Sequence, residues 1–118
     1  MDKVKREKYK KILLKIREDL VEELMQLEET IDDSNREGSS AYSFHMADVG
    51  TDASEREKAY LWLARENKYL RHILEALKRV ETESYGTCMV CGEDIEEGRL
   101  ESVPHTQHCF SCKSIVSH

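Results

Sequence analysis

The chain of 118 residues has one proline, Pro104, and five glycines, none of them before Gly38. Nothing in the first third of the sequence therefore forces a helix to stop. Eight aromatic residues, with Trp62 the single tryptophan, are too few for a thick globular core. With 36% charged residues and a net charge of −6, the choice is between disorder and long helices with a narrow apolar seam. No apolar run approaches the roughly 20 residues that a membrane span needs, and the N-terminus MDKVKREKYKK carries no apolar signal segment. A cytoplasmic protein without a membrane association is expected. The acidic total argues against wholesale wrapping of nucleic acid, which prefers basic surfaces. A local basic patch is compatible with the composition.

Cysteine is scarce as well, and its placement is the strongest signal in the chain. The four cysteines, Cys88, Cys91, Cys109 and Cys112, form two CxxC pairs with seventeen residues between them. That spacing suits a four-thiolate zinc site. Each CxxC turn presents two sulfurs to one ion, and zinc accepts four of them in a tetrahedron. Gly92, directly after the second cysteine, permits the positive φ such a turn requires. Two disulfides would use the same residues, but they need an oxidising compartment. Four free buried thiols, or a single redox CxxC pair, would use them too. His105 and His108 flank Cys109 and offer substitute ligands, yet four cysteines suffice. The expectation is one structural Zn²⁺, all of its positions filled by protein, stapling the fold without catalysing anything.

Residues 2 to about 33 read as one helix, about 45 Å long at 1.5 Å per residue. Leu13, Ile16, Leu20, Leu24, Leu27 and Ile31 recur in steps of three or four and form a single stripe. Lys3, Lys5, Arg6, Lys8, Lys10, Lys11, Lys15 and Arg17 crowd its first half, against the preference for acid at a helix N-terminus. Glu22, Glu23, Glu28, Glu29, Asp32 and Asp33 crowd the second. A solvated face accounts for this segregation as well as a functional demand does.

Ser34, Asn35, Gly38, Ser39 and Ser40 are loop formers and open a tip loop over about 34–51. A second helix follows over about 52–83, with Asp52/Glu55 and Ser54/Glu57 both fitting a capping box. Its stripe is Ala59, Leu63, Leu70, Ile73, Leu74, Leu77 and Val80, with Trp62 and Tyr69 at the margins. Asn67 falls where an apolar residue is expected; it either fixes register inside a seam or sits at the edge in water. Two helices of similar length joined by a short loop read as an antiparallel hairpin, with an intermolecular coiled coil as the competitor. The fold class is thus mainly α: a helical hairpin over 1–84 and a small, zinc-ribbon-like C4 module over 85–118. Folding the hairpin back places residues 1–10 beside 78–85, and gathers Asp32, Asp33, Glu37, Asp48, Asp52, Glu55 and Glu57 at the far tip.

The order of a long hairpin, then Tyr85-Gly86-Thr87-Cys88-x-x-Cys91-Gly92, then Arg99-Leu100-Glu101, Pro104 and Cys109-x-x-Cys112-Lys113, resembles the DksA/TraR family of bacterial transcription regulators. The resemblance covers nearly the whole chain. It implies a non-enzymatic protein that binds RNA polymerase directly, without direct sequence-specific DNA binding, and passes its coiled-coil tip through the secondary channel towards the active-site Mg²⁺, modulating initiation. A monomer is expected. The family's Asp-x-x-Asp-x-Ala tip signature aligns with His45-Met46-Ala47-Asp48-Val49-Gly50, so only Asp48 matches. Asp48, then Asp52 and His45, are the candidate tip residues facing the polymerase active site. The family's basic positions for guanosine tetraphosphate align with His72, Val103 and Lys113, of which only Lys113 keeps a fixed cation. Polyphosphate recognition wants several, so weak or no dependence on that nucleotide is expected. The sequence runs six residues past Cys112, short of the C-terminal helix the family carries there. Three further readings stand beside this one: a Gre-like transcript-cleavage factor, a zinc-dependent adaptor or nucleic-acid module using the basic end, and an enzyme using the CxxC thiols.

Overall fold

The structure, a computed structural model, describes the backbone of residues 1–41 and 49–116 and the side chains of residues 1–32 and 54–113. Two long helices, α1 (Lys3–Ala41) and α2 (Val49–Glu81), precede two short ones, α3 (Glu97–Ser102) and α4 (Phe110–Val116). The fold is mainly α, a long antiparallel helical hairpin followed by a small cysteine module. The described residues contain no strand, only an isolated antiparallel bridge between Thr87 and Asp94. No helix among them is long and apolar enough to cross a membrane.

Helix α1 runs to Ala41, past the expected end near residue 33 and through Ser34, Asn35, Gly38, Ser39 and Ser40. Such residues each weaken a helix by about 1 kcal/mol or less, and an established helix propagates through them because its nucleus already exists. Helix α2 begins at Val49, ahead of both candidate capping boxes, and ends at Glu81. Its stop is a left-handed residue, Glu83 at φ 62°, after which the Ser84 N–H donates back to the Arg79 carbonyl at 3.0 Å. Glycine normally occupies such a position, and a side chain there costs about 1 kcal/mol.

Two compact units can be distinguished, Met1–Glu18 with Arg71–His118 and Asp19–Leu70. In the first unit, Tyr9 and Leu13 of α1 and Ile73, Ala76 and Val80 of α2 are buried, together with Tyr85, Ile95 and Leu100. The Tyr9 and Tyr85 rings lie 5.8 Å apart at a 46° tilt. Arg6 pairs with Glu83 at 3.0 Å and Lys10 with Glu81 at 3.4 Å, an order that runs the helices antiparallel. Lys5 reaches Glu97 and Lys8 reaches Glu101, tying α1 to α3. The basic crowding at the start of α1 thus has local acidic partners on α2 and α3.

In the second unit, Leu20, Leu24 and Ile31 are buried and Leu27 is half-buried. On α2 the half-buried positions include Ala59, Leu63, Glu66 and Leu70, the alternating four-three spacing of a coiled-coil seam, with Arg56 and Tyr69 half-buried as well. Trp62 lines a cavity with Gln26, Leu27 and Thr30 while Glu66 meets Glu23, again antiparallel. Asn67 is exposed and sits in water; the polar residue in the seam is its neighbour Glu66. Leu74, expected on the stripe, is 45% exposed, because Ile73, Ala76 and Leu77 take the inward face of that turn.

The two neighbouring tyrosines make a sharp test. The Tyr9 hydroxyl is buried with no hydrogen-bond partner among the described residues, whereas Tyr85 donates to the Pro104 carbonyl at 2.7 Å. Tyr9→Phe is expected to leave stability unchanged or raise it by up to about 1 kcal/mol, and Tyr85→Phe to cost about 1–2 kcal/mol. Thermal unfolding of the two variants checks the opposite signs; equal losses would contradict the asymmetry.

Candidate metal centre

Residues 86–95 make the first cysteine turn from backbone alone. The Cys88 N–H donates to the Glu93 carbonyl at 2.8 Å, Gly92 N–H to Cys88 at 2.9 Å, and Ile95 N–H to Gly86 at 2.8 Å. These bonds fold the chain into a tight loop flanked by the Thr87–Asp94 bridge. Gly92 closes it at φ 76° and Gly86 enters it at φ 87°, both in the left-handed region that favours glycine. At Gly86 a side chain would in addition meet the end of Met1 and approach Leu100. The second turn stands at the entrance of α4, with Cys109 immediately before the helix and Cys112 within its first turn. One backbone bond, Met89 N–H to the Gln107 carbonyl at 2.9 Å, ties the two turns together.

The four sulfurs converge. All lie within 4.8 Å of one another, and the Cys91 and Cys109 sulfurs are 3.8 Å apart. Sulfurs around a tetrahedral zinc with bonds of about 2.3 Å stand about 3.8 Å apart, so the donor set fits. All four are free thiols, not disulfides. The amide N–H groups of Cys91, Cys109 and Val90 point at the Cys88 sulfur and bring its pKa down to about 6. Crowding by the Cys109 sulfur, with burial and the other two sulfurs, pushes Cys112 up to about 12. Four thiolates cannot share this space without a cation, and a divalent metal supplies the charge that lets all four deprotonate. The donor set fits one structural zinc, which Cys88, Cys91, Cys109 and Cys112 would hold. With four protein ligands the site keeps no open position for a substrate. Among the described residues the cluster includes neither His105 nor His108.

Arg99 fixes the second turn from outside. Its Nε donates to the His108 carbonyl at 2.7 Å and its guanidinium reaches the Thr106 hydroxyl at 3.1 Å. Arg79, partly buried, donates to the His105 carbonyl at 3.0 Å. The Arg99-Leu100-Glu101 segment is thus fully employed: the arginine holds the cysteine loop, Leu100 is completely buried, and Glu101 pairs with Lys8. Beside the loop lies a cleft of about 500 Å³ whose lining includes His72, Arg79, Arg99, Val103, His105 and Lys113, with Glu75 as its acid. His72 and His105 stack there with ring centres 5.6 Å apart. Burial, then His72 and the two arginines, lowers the pKa of His105, which disfavours its charged form.

His45 and Asp48 lie outside the described residues, and Asp52 is placed only as backbone within α2. Of the residues expected to matter, the structure brings the four cysteines together. Sequence reasoning misses Arg79, Thr106 and the structural role of Arg99; a charged residue that bonds to carbonyls leaves no periodic trace. It misses Tyr9 as well, although that residue lies four positions before Leu13 and extends the same stripe.

Removing zinc with a chelator is expected to unfold residues 85–113 while leaving much of the long-helix signal, and one zinc per chain should be recovered. Arg99→Ala should weaken zinc retention by about tenfold, measured by transfer to a chromophoric chelator. Unchanged release would show that the carbonyl contacts do not position the cysteines.

Comparison with known proteins agrees with this construction. The model for the prokaryotic dksA/traR C4-type zinc finger matches residues 83–118. An uncharacterised protein of Aquifex aeolicus is 32% identical over 116 residues, covering 98% of this chain and 79% of its own. The RNA polymerase-binding transcription factor DksA of Escherichia coli is 40% identical over 52 residues, covering 44% of this chain and 34% of its own, so the match spans about a third of that relative. The structure of transcription factor DksA2 from Pseudomonas aeruginosa superposes with a TM-score of 0.86 at 28% identity, covering 99% of this chain and 86% of that one. With its helical hairpin, its C4 zinc module and these relatives, the chain belongs to the DksA/TraR family.

Proposed function

We propose that this chain is a non-enzymatic transcription regulator that binds bacterial RNA polymerase directly and modulates initiation. The observation that carries this reading is the end-to-end likeness to transcription factor DksA2, which extends over both the long helices and the cysteine module. A stretch of 52 residues adds likeness to DksA proteins, which are named as RNA polymerase-binding. The closed zinc site supports a structural role for the metal and a regulatory role for the chain.

In this reading the connection between α1 and α2 enters the secondary channel, with Asp48, Asp52 and His45 nearest the active site. One feature of α2 favours an enclosing partner over a flat one. Tyr60, Leu61 and Trp62 are 49%, 66% and 50% exposed, and successive helical residues point about 100° apart. A channel wall covers all three at once. The basic start of α1 does not favour a nucleic-acid module, since Lys5, Arg6, Lys8 and Lys10 are each paired with a glutamate. The α1 seam is filled by α2 of the same chain, which supports a monomer.

Guanosine tetraphosphate is expected to have little effect. His72, Val103 and Lys113 share the cleft beside the second cysteine turn, but Lys113 is the one fixed cation of the three. Arg79 and Arg99, which also line it, already donate to the His105 and His108 carbonyls.

Purified protein added to RNA polymerase on a ribosomal promoter is expected to change initiation, and polymerase subunits should co-purify with a tagged copy. Asp48→Ala should reduce the effect on initiation by tenfold or more while leaving co-purification intact. Adding guanosine tetraphosphate should shift the response less than twofold. No change in initiation, with Asp48→Ala indistinguishable from the parent, would sink the proposal; stimulation of transcript cleavage in backtracked complexes would favour a Gre-like role instead.

A further inference from the structure

Glu66 occupies an inward position in the spacing Ala59, Leu63, Glu66, Leu70, with apolar residues on either side of it. Its Oε2 is closed off from solvent and has no hydrogen-bond partner among the described residues. Across the seam α1 presents Glu23, whose side chain is within hydrogen-bonding reach of Glu66. Two carboxylates cannot bond to each other, because both only accept; a carboxyl and a carboxylate can. The other charged and titratable neighbours are Arg65 and Tyr69, both on α2. The Arg65 guanidinium lies over the Trp62 ring, 5.7 Å from its centre, and Tyr69 is an uncharged phenol at neutral pH. Neither removes the conflict between the two acids. The cavity of about 290 Å³ lined by Glu23, Gln26, Leu27, Thr30 and Trp62 opens beside them.

We propose that Glu66 keeps its proton in the closed seam and donates it to the Glu23 carboxylate, and that its loss loosens the seam of residues 19–70, making this part of the hairpin proton-responsive. The adjoining cavity gives the Glu23 carboxylate room to turn away once that proton is gone. Burial first, then the hydrogen bond and charge of Glu23, raises the pKa of Glu66, with Arg65 opposing. A carboxyl that binds its proton more tightly in the folded than in the unfolded chain supports the fold at low pH and withdraws that support as pH rises. The window therefore opens at the ordinary glutamate value of 4.5 and extends upward to the raised one. Below it the seam is tight; above it two charges face each other across an apolar strip.

Trp62 is the single tryptophan and lines the cavity beside Glu23, so its emission reports on this seam. Thermal unfolding of the full-length, zinc-loaded protein would be followed by Trp62 fluorescence at about pH 5 and about pH 8, with each variant compared to the parent at the same pH. Glu66→Gln keeps the shape of the side chain and supplies an N–H donor to Glu23. It is expected to raise the transition by about 4 °C at pH 8, with the gap closing to within about 1 °C at pH 5. Glu23→Gln should do the same from the other helix, and keeps the test open if Glu66→Gln folds poorly. A gap that is the same at both pH values, or a glutamine variant less stable than the parent at pH 8, would overturn the proposal.

Discussion

The convergence of four sulfurs on one point is the constraint on which the rest of the first unit depends. Residues 85–113 bury Tyr85, Ile95, Leu100 and three cysteines, too little apolar surface for so short a segment to fold by itself. A metal ion at the centre replaces the missing core, because binding four thiolates is itself a folding free energy. Once the two cysteine turns are closed on each other, α3 is held between them in sequence. Its glutamates are then in place for Lys5 and Lys8, and Arg99 can reach back to the loop before Cys109. The hydrogen bonds and ion pairs of the unit follow from the metal site; they do not replace it.

This order also explains the charge pattern at the start of α1. A run of lysines at a helix N-terminus opposes the helix dipole, and each exposed ion pair returns only about 0–1 kcal/mol. Four such pairs at one end still favour the arrangement in which each of these bases faces an acid. The apolar contacts of Tyr9, Leu13 and Leu100 supply the stability, and the lysine–glutamate pairs supply the register. Basic residues that read from the sequence as a surface awaiting an acidic partner are largely occupied within the protein.

Much of this is legible in the residues, for identifiable reasons. The CxxC spacing and the long apolar stripes are local, periodic signals, and both reappear in the structure as the sulfur cluster and the paired helices. The end of α1 is not legible, because Ser and Gly weaken a helix without stopping one already formed. Of the two readings open to Asn67 the edge position in water holds, but the polar residue that does enter the seam, Glu66, is not legible, because a glutamate flanked by apolar positions reads as part of the charged face. Leu74 reads as inward on hydrophobicity alone, when the turn already has Ile73 and Leu77 to fill that face. Arg79 and Arg99 are invisible as structural residues because their partners are backbone carbonyls far along the chain, and no composition or period encodes such a bond.

The two units solve the problem of a thin core differently. Around the metal, aromatic rings, buried aliphatics and arginine pegs surround the seam, and an orphaned Tyr9 hydroxyl is tolerated because its neighbours are fixed. Among the described residues of 19–70 there are only two helices, and Ala59, Leu63 and Leu70 remain half-exposed. A two-helix seam has no third layer to exclude water or to lock a side chain. Its local stability therefore belongs to the low end of the range found within a protein, and each polar atom placed in it weighs more. An acid at Glu66 opposite another at Glu23 is a poor choice for maximum stability, since an apolar residue would pack the strip continuously. It is a workable choice where stiffness should depend on conditions, because a proton is the smallest ligand that can change the charge of a seam without changing its shape.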